Sequence, residues 1–590
     1  MKSTTRDGVG SLLASAAVVA VAVVAALAMR AVRGSFEGRA EPFVFVTLVA
    51  FVALLALVLP VAAWRGSKTG APGTAPLTAA TVVVVALLAV YFFEATYFIQ
   101  FPADILIWSE SDFVNDILKL QLGYPLYSAE ANNESFFYTP GSQLLTFVLA
   151  SLTGQGRSIA AFRVIQVGFT IGAAIMAVQS WRILVRHAGG AERRGAGPWI
   201  WLVTGFLLLC ATNQVTNSFN QFIHNDALAQ LVSVAAFWLL LRYALDGRRG
   251  ALWLMALVPA LGFFVKQSLG IWAPLYVGYL LVFERPRSWT RIGVFTVAAF
   301  GLIAAALAAG TALWGPHFRY WVLDAMANHP VNPLRSVQHL LDAWGYFAIG
   351  LAGGWFVIRG ERQLQLLGTW LVGMGLLAIE TYTSGVAWML NHLGPGSLIA
   401  GIWFAAALPR IGEAIDTAAA GWIARYLRPA LAAGVFVLLL QGLGMIRIPL
   451  PPLSPDADRY VRDIEAEFAG ANARRVLVDV GTWPYFERRI LMRDRAPAIG
   501  ERGYSQTGDF SGFLGRLSRQ EYDKILVRNY HSGDFWYDHE MWSVPSGIRA
   551  ALETWYTEDH VIPRVQPDRP QSYTTYSFSD ISVLVPRDLK

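Results

Sequence analysis

Trp108-Ser109-Glu110-Ser111-Asp112-Phe113-Val114-Asn115-Asp116 sets three carboxylates within seven residues and continues through Gly123-Tyr124-Pro125-Leu126-Tyr127 to Phe136-Phe137-Tyr138-Thr139-Pro140. On either side the chain is apolar for the length of a membrane span, at 78–97 before it and 158–184 after it. An acidic and aromatic segment held between two such runs belongs at a membrane surface, which makes the fold a polytopic helical one. If Asp112 begins a helix, Glu110 precedes that helix and Asp116 lies one turn further along the same face. A plainer reading stands beside this: Ser111 or Asp112 is a favoured N-cap, and the neighbouring acids are simply solvated.

Outward from this stretch, apolar runs lie at 11–29, 42–64, 78–97, 158–184, 199–213, 226–244, 251–265, 268–283, 292–314, 341–358, 364–384, 396–408 and 429–446. The expected fold is mainly α, with about 11 to 13 transmembrane helices in residues 1–448 and a small soluble α/β domain in 449–590. The first run follows Lys2 and Arg6 and ends in Ala26-Leu27-Ala28, so it suits either an uncleaved first helix, the preferred reading, or a cleaved signal peptide. Ser142–Leu152 is apolar but short and reads as a re-entrant or interface-lying helix.

Composition agrees with a membrane setting. Of 590 residues, 55% are hydrophobic and 15% charged, and the mean hydropathy is +0.43, too apolar for a soluble chain of this size. The single cysteine, Cys210, excludes intramolecular disulfides and cysteine-based metal sites.

The net charge of +6 is not a nucleic-acid signal, because the tail from 449 holds 18 basic and 21 acidic residues and the excess belongs to the membrane part. With the N-terminus in the cytoplasm, the clusters Arg65/Lys68, Arg182/Arg186/Arg193/Arg194, Arg242/Arg248/Arg249, Arg285/Arg287/Arg291, Arg359/Arg362 and Arg410/Arg425/Arg428 all fall inside. The inside of residues 1–448 is then +12 and the outside −3, the bias expected of a correctly oriented membrane protein. The segment 98–157 and everything after about 449 consequently face outward at the plasma membrane. A site using ATP or a nucleotide sugar would face the wrong compartment.

Leu450-Pro451-Pro452-Leu453-Ser454-Pro455 is a stiff linker into the tail, where strands are expected at Arg475–Val480, Tyr522–Arg528, His560–Val565 and Ser577–Val585, with a helix around Ile548–Thr557. Gly66-Ser67-Lys68-Thr69-Gly70 lacks the core of a phosphate loop. The tail aromatics Tyr530, His531, Phe535, Trp536, Tyr537, His539 and Trp542 are read as packing residues rather than a sugar platform.

An acidic residue followed by Phe in the first large outer loop, then Gly-x-Pro-Leu-Tyr and an aromatic-Tyr-x-Pro element, resembles the bacterial polyprenyl-phosphate-sugar-dependent glycosyltransferases of the GT-C superfamily, of the protein O-mannosyltransferase and aminoarabinose-transferase type. The similarity extends to Ala161-Phe162-Arg163, His224-Asn225-Asp226-Ala227-Leu228 and Phe264-Val265-Lys266-Gln267-Ser268, and covers roughly residues 80–400. Two departures are visible: an additional span precedes the acidic loop, and the aromatic element has one proline where many relatives have two.

The resemblance implies an inverting transfer of a sugar from a lipid phosphate to an acceptor hydroxyl of a glycan, lipid or protein, with no nucleic acid involved. A hydroxyl needs a base as it attacks, and Asp112, with Glu110 beside it, fills that role. A lipid phosphate leaves as an anion and needs positive charge, for which Lys266 is the first candidate, with Arg163 and His392 of Asn391-His392-Leu393-Gly394-Pro395-Gly396 behind it. His224, Asp226 and Tyr138 complete the substrate-binding set. Each has a structural reading as well: a lysine snorkels to an interface, and an aspartate suits a helix N-terminus.

No certain cofactor is implied beyond the lipid-linked sugar that serves as donor substrate. A divalent cation held by Glu110, Asp112 and Asp226 is an option that the spacing does not itself signal. Two other classes remain open at this level: a multi-spanning transporter or lipid flippase, although no internal repeat is found, and a lipid-linked polymer ligase, which the loop bearing His317, Arg319, His329 and Arg335 keeps in view.

Overall fold

The computed structural model describes residues 74–107, 110–127, 138–188, 196–213, 215–216, 219–324, 331–386, 390–417, 435–436, 438–445, 455–478, 481–492, 511–528, 530–531, 547–565 and 580–588. The expectations placed on the runs at 11–29 and 42–64, on Gly66–Gly70 and on the tail aromatics from Phe535 to Trp542 lie outside these residues.

The helices of the membrane part are α1 (Thr74–Gln100), α2 (Glu110–Leu122), α3 (Gly141–Leu152), α4 (Ile159–His187), α5 (Ala196–Ala211), α6 (Asp226–Ala244), α7 (Ala251–Val265), α8 (Trp272–Phe283), α9 (Trp289–Trp314), α10 (Pro333–Asp342), α11 (Trp344–Val357), α12 (Gln363–Thr383) and α13 (Gly394–Thr417). Every apolar run expected between 78 and 408 is matched by one of them. Among the described residues, α4, α6, α9 and α12 are long and apolar enough to cross a membrane, and α10 with α11, bent at 61°, make a fifth candidate. α3, α7, α8 and parts of α1 and α5 are shorter apolar helices. The acidic stretch forms its helix from Glu110, so Glu110 is inside the first turn with Asp112 instead of preceding it.

Long side chains cap and bind these helices into a bundle with two unlike ends. At one end Asp246 receives Arg242 at 2.6 Å and His187 at 2.8 Å, Arg410 reaches the carbonyls of Ala188 and Phe356, and Arg362 reaches that of Leu245. Basic loops that are far apart in sequence thus meet on one face. Trp201, Trp253, Trp289 and Trp355, each near the helix end beside a basic loop, are exposed there, the position an interfacial tryptophan belt takes. The opposite end gathers α2, α3, the 219–225 turns and the junctions at Lys266 and Leu390–Leu393.

The tail contributes α14 (Pro455–Ala466), β1 (Val476–Val478), α15 (Trp483–Arg488), α16 (Ser511–Ser518), β2 (Lys524–Arg528), α17 (Ile548–Trp555), β3 (Tyr556–Ile562) and β4 (Ile581–Pro586). The strands are ordered β1-β2-β4-β3, with β1 and β2 parallel and the other pairings antiparallel. All four expected strands form, each differing by a few residues from its expected limits. Buried Phe98, Ile105 and Phe113 share one apolar cluster with Tyr460, Trp483 and Leu526 of the tail.

Helix packing is tight where glycine allows it. A Cβ on Gly353 of α11 would lie 2.6 Å from the Trp403 carbonyl carbon of α13, whereas one on Gly301 of α9 meets nothing within 4 Å. Gly353→Ala is therefore expected to destabilise the bundle by about 1–3 kcal/mol through overpacking, while Gly301→Ala leaves it unchanged or slightly more stable. Thermal unfolding of the two variants in detergent tests the difference.

Candidate active site

Glu110 and Arg163 are both wholly buried and form a two-pronged pair, Nε to Oε1 at 2.8 Å and Nη2 to Oε2 at 2.5 Å. The remaining guanidinium N–H groups donate to the carbonyls of Phe98 (2.9 Å), Phe101 (2.5 Å) and Ala103 (2.7 Å). All five donors of the arginine are used. Glu110 Oε1 also accepts from the Ile223 backbone N–H at 3.0 Å. The pair ties the end of α1, the first turn of α2, α4 and the 219–225 turns together.

Beside it, α6 begins at Asp226 and α7 ends against Lys266. The Lys266 ammonium donates to Asp226 Oδ1 at 2.6 Å, and Asn391 Nδ2 donates to Oδ2, also at 2.6 Å. Asp226 Oδ2 is 3.2 Å from His224 Nδ1. Lys266 Nζ lies 5.5 Å from the centre of the Tyr138 ring, a cation–π arrangement.

His224 is enclosed by Phe219, Phe113 and Tyr138, with ring centres 4.2, 4.7 and 5.7 Å away. Tyr138 is placed by Tyr127, whose hydroxyl donates to its carbonyl at 2.8 Å. Burial holds the His224 imidazole below its usual range despite the attraction of Asp226. Burial and the Lys266 charge push His392 down to about 3. Arg163, another expected cation, has every donor engaged within the protein.

Asp112 is buried in the first turn of α2, one residue before the Phe113 that meets His224. The expected candidates Tyr138, His224, Asp226, Lys266 and His392 gather with one another, and Tyr138 and His224 also pack against Phe113 of this turn, while Glu110 and Arg163 meet each other instead. With Glu110 held by Arg163 and Asp226 by Lys266 and Asn391, Glu110, Asp112 and Asp226 do not come together as a cation site. Among the described residues no group of three His, Cys, Asp or Glu side chains does.

Three residues of this region were not singled out by sequence. Asn391 adjoins a named candidate. Glu380, half-buried near Lys266, accepts from the Gly396 N–H at 2.8 Å, and its signal was an acid inside an apolar run. Asp104 had no signal: its carboxylate accepts from the backbone N–H of Thr482 (3.1 and 2.9 Å) and of Trp483 (3.1 Å) at the start of α15 in the tail.

With this geometry established, comparison with solved structures decides the fold. The ArnT structure from Cupriavidus metallidurans bound to undecaprenyl phosphate aligns over 85% of this chain and 97% of its own, with a TM-score of 0.51 and 13% identity. The chain has the GT-C fold. The same ArnT in the apo state aligns over 86% of this chain and 98% of its own, with a TM-score of 0.49 and 14% identity. The Archaeoglobus fulgidus oligosaccharyltransferase in its apo form aligns over 83% and 81%, with a TM-score of 0.45 and 11% identity. No protein-family model matches the sequence, and no curated protein matches it either. In this GT-C chain the acidic first turn and the Asp226–Lys266 pair sit at the bundle end away from the basic loops.

Two outcomes follow from the buried charges. Glu110→Gln leaves Arg163 as an uncompensated buried cation and is expected to destabilise the fold by about 3–5 kcal/mol, read as a lowered unfolding midpoint in detergent. Burial, and after it the Glu110 charge, push the Asp104 carboxyl from 3.8 up to about 7, against the two backbone donors and Arg163. An acid with a raised folded-state pKa stabilises fully below its unfolded value and loses that contribution as pH rises through the folded one. Stability is therefore expected to fall between about pH 4 and pH 7 from this group, and Asp104→Asn, which keeps an acceptor oxygen, should flatten that slope in a pH series of melting curves.

Proposed function

We propose that the chain is an inverting glycosyltransferase that moves one sugar from a polyprenyl-phosphate donor to an acceptor hydroxyl outside the cytoplasm. The observation that carries this reading is the juxtaposition, at one end of the bundle, of the Asp112 turn with a lysine–aspartate pair and an aromatic enclosure around His224. Undecaprenyl phosphate in the ArnT structure of the same fold supports a lipid phosphate as the leaving group. The positive-inside bias of the basic clusters supports an outward site and tail, with residues 1–448 as the transferase domain and 449–590 as an extracytoplasmic domain in a multi-pass plasma-membrane protein.

In this scheme Asp112 takes the proton of the acceptor hydroxyl as its oxygen bonds to the anomeric carbon. The bond from that carbon to the phosphate oxygen breaks on the opposite face, and the polyprenyl phosphate departs as an anion. A single displacement inverts the anomeric centre. Lysine has three ammonium donors, and Lys266 gives one of them to Asp226, so others are available to the phosphate oxygens. Asp226 and Asn391 fix where that ammonium stands, and Tyr138 and His224 wall the sugar position. Glu110 and Arg163 hold the frame. The acceptor belongs to a glycan, a lipid or a protein of the cell envelope.

The experiment is transfer from a polyprenyl-phosphate sugar by the purified protein in detergent. Asp112→Asn is expected to lower kcat by roughly 10²- to 10⁴-fold, the usual contribution of a general base, while the folded protein keeps its melting midpoint. Lys266→Met is expected to lose transfer as well. Wild-type rates in the Asp112→Asn protein would remove the base from the scheme, and substrate movement across vesicles without formation of a glycosidic bond would replace the scheme with transport.

A further inference from the structure

We infer that the C-terminal tail is a working part of the reaction centre, with Thr482 as a positioning residue that holds the first turn of α2 and through it Asp112. This rests on the proposed role of Asp112.

Three consecutive residues of α2 carry the inference. Glu110 is gripped from the bundle by Arg163. Ser111 is gripped from the tail, where the buried Thr482 hydroxyl donates to its carbonyl at 2.9 Å. Asp112 follows directly. A carbonyl in the second position of a helix has only its own i+4 partner to hold it, so a second donor from outside fixes the start of the helix in orientation as well as in place.

Thr482 is itself located by three features. Asp104, on the loop between α1 and α2, accepts from the Thr482 and Trp483 backbone N–H groups, closing a loop of contacts from the acidic segment to the tail and back. Gly481 leaves room for the Asp104 carboxylate, since a Cβ there would lie 2.5 Å from Asp104 Oδ1 and 2.8 Å from the Trp483 ring. Phe486, at the other end of α15, meets Phe162 at 6.0 Å between ring centres, beside the arginine that grips Glu110. Bundle and tail thus hold the same turn from opposite sides. A general base must stand within hydrogen-bond reach of the proton it removes, and a misplacement of about 1 Å lowers a rate by roughly 100-fold.

The test uses the full chain with Thr482→Val, which keeps the shape and removes the donor, and Thr482→Ser, which restores it. The Val variant is expected to lower kcat at least about tenfold with the KM for the lipid donor nearly unchanged, and the Ser variant to recover most of it. Amide hydrogen exchange of residues 110–116 is expected to rise in the Val variant and return in the Ser variant. A Val variant with wild-type kcat overturns the inference, as does a loss of kcat with unchanged exchange in 110–116. If the wild type transfers no sugar from a polyprenyl phosphate, the proposed reaction fails on its own. Exchange then decides the clamp: unchanged protection in the Val variant overturns it.

Discussion

A guanidinium and a carboxylate removed completely from solvent must satisfy each other or the fold cannot hold them. Arg163 and Glu110 do so, and the three carbonyls and one amide that complete their hydrogen bonds come from two further stretches of chain. The outer segment therefore has one seating on the bundle. The Asp226–Lys266 pair, the enclosure of His224 and the docking of the tail all depend on that seating, because each uses residues that it places.

The bundle was legible because lipid imposes a simple rule: a helix that crosses it needs a long apolar run, and such runs mark themselves whatever they later pack against. The run at 226–244 coincides with its helix residue for residue, as does that at 251–265. The re-entrant character expected of Ser142–Leu152 follows the same logic, and the helix found there starts against the Phe264 carbonyl at Gly141. The basic loops assigned to one common side in the sequence also meet in space, around Asp246, Arg362 and Arg410.

The site was legible only in part. Asp226 and Lys266 were visible as ionisable groups at the edges of apolar runs, but 40 residues separate them and nothing local pairs them. Glu110 looked like a second catalytic acid, because sequence shows a carboxylate and not its partner 53 residues on. Asp104 and Thr482, 378 residues apart, carried no signal at all: a backbone N–H is the same in every residue but proline. What the sequence could not convey was the matching of partners, which is a property of packing.

The shortness of α7 has a consequence for the depth at which Lys266 stands. From Trp253, at the belt beside the basic loops, to Lys266 is thirteen residues, about 20 Å of helix at 1.5 Å per residue. A hydrocarbon layer is about 30 Å deep. The Lys266 ammonium, at the end of α7, thus falls short of the far face of such a layer, below the level of its headgroups.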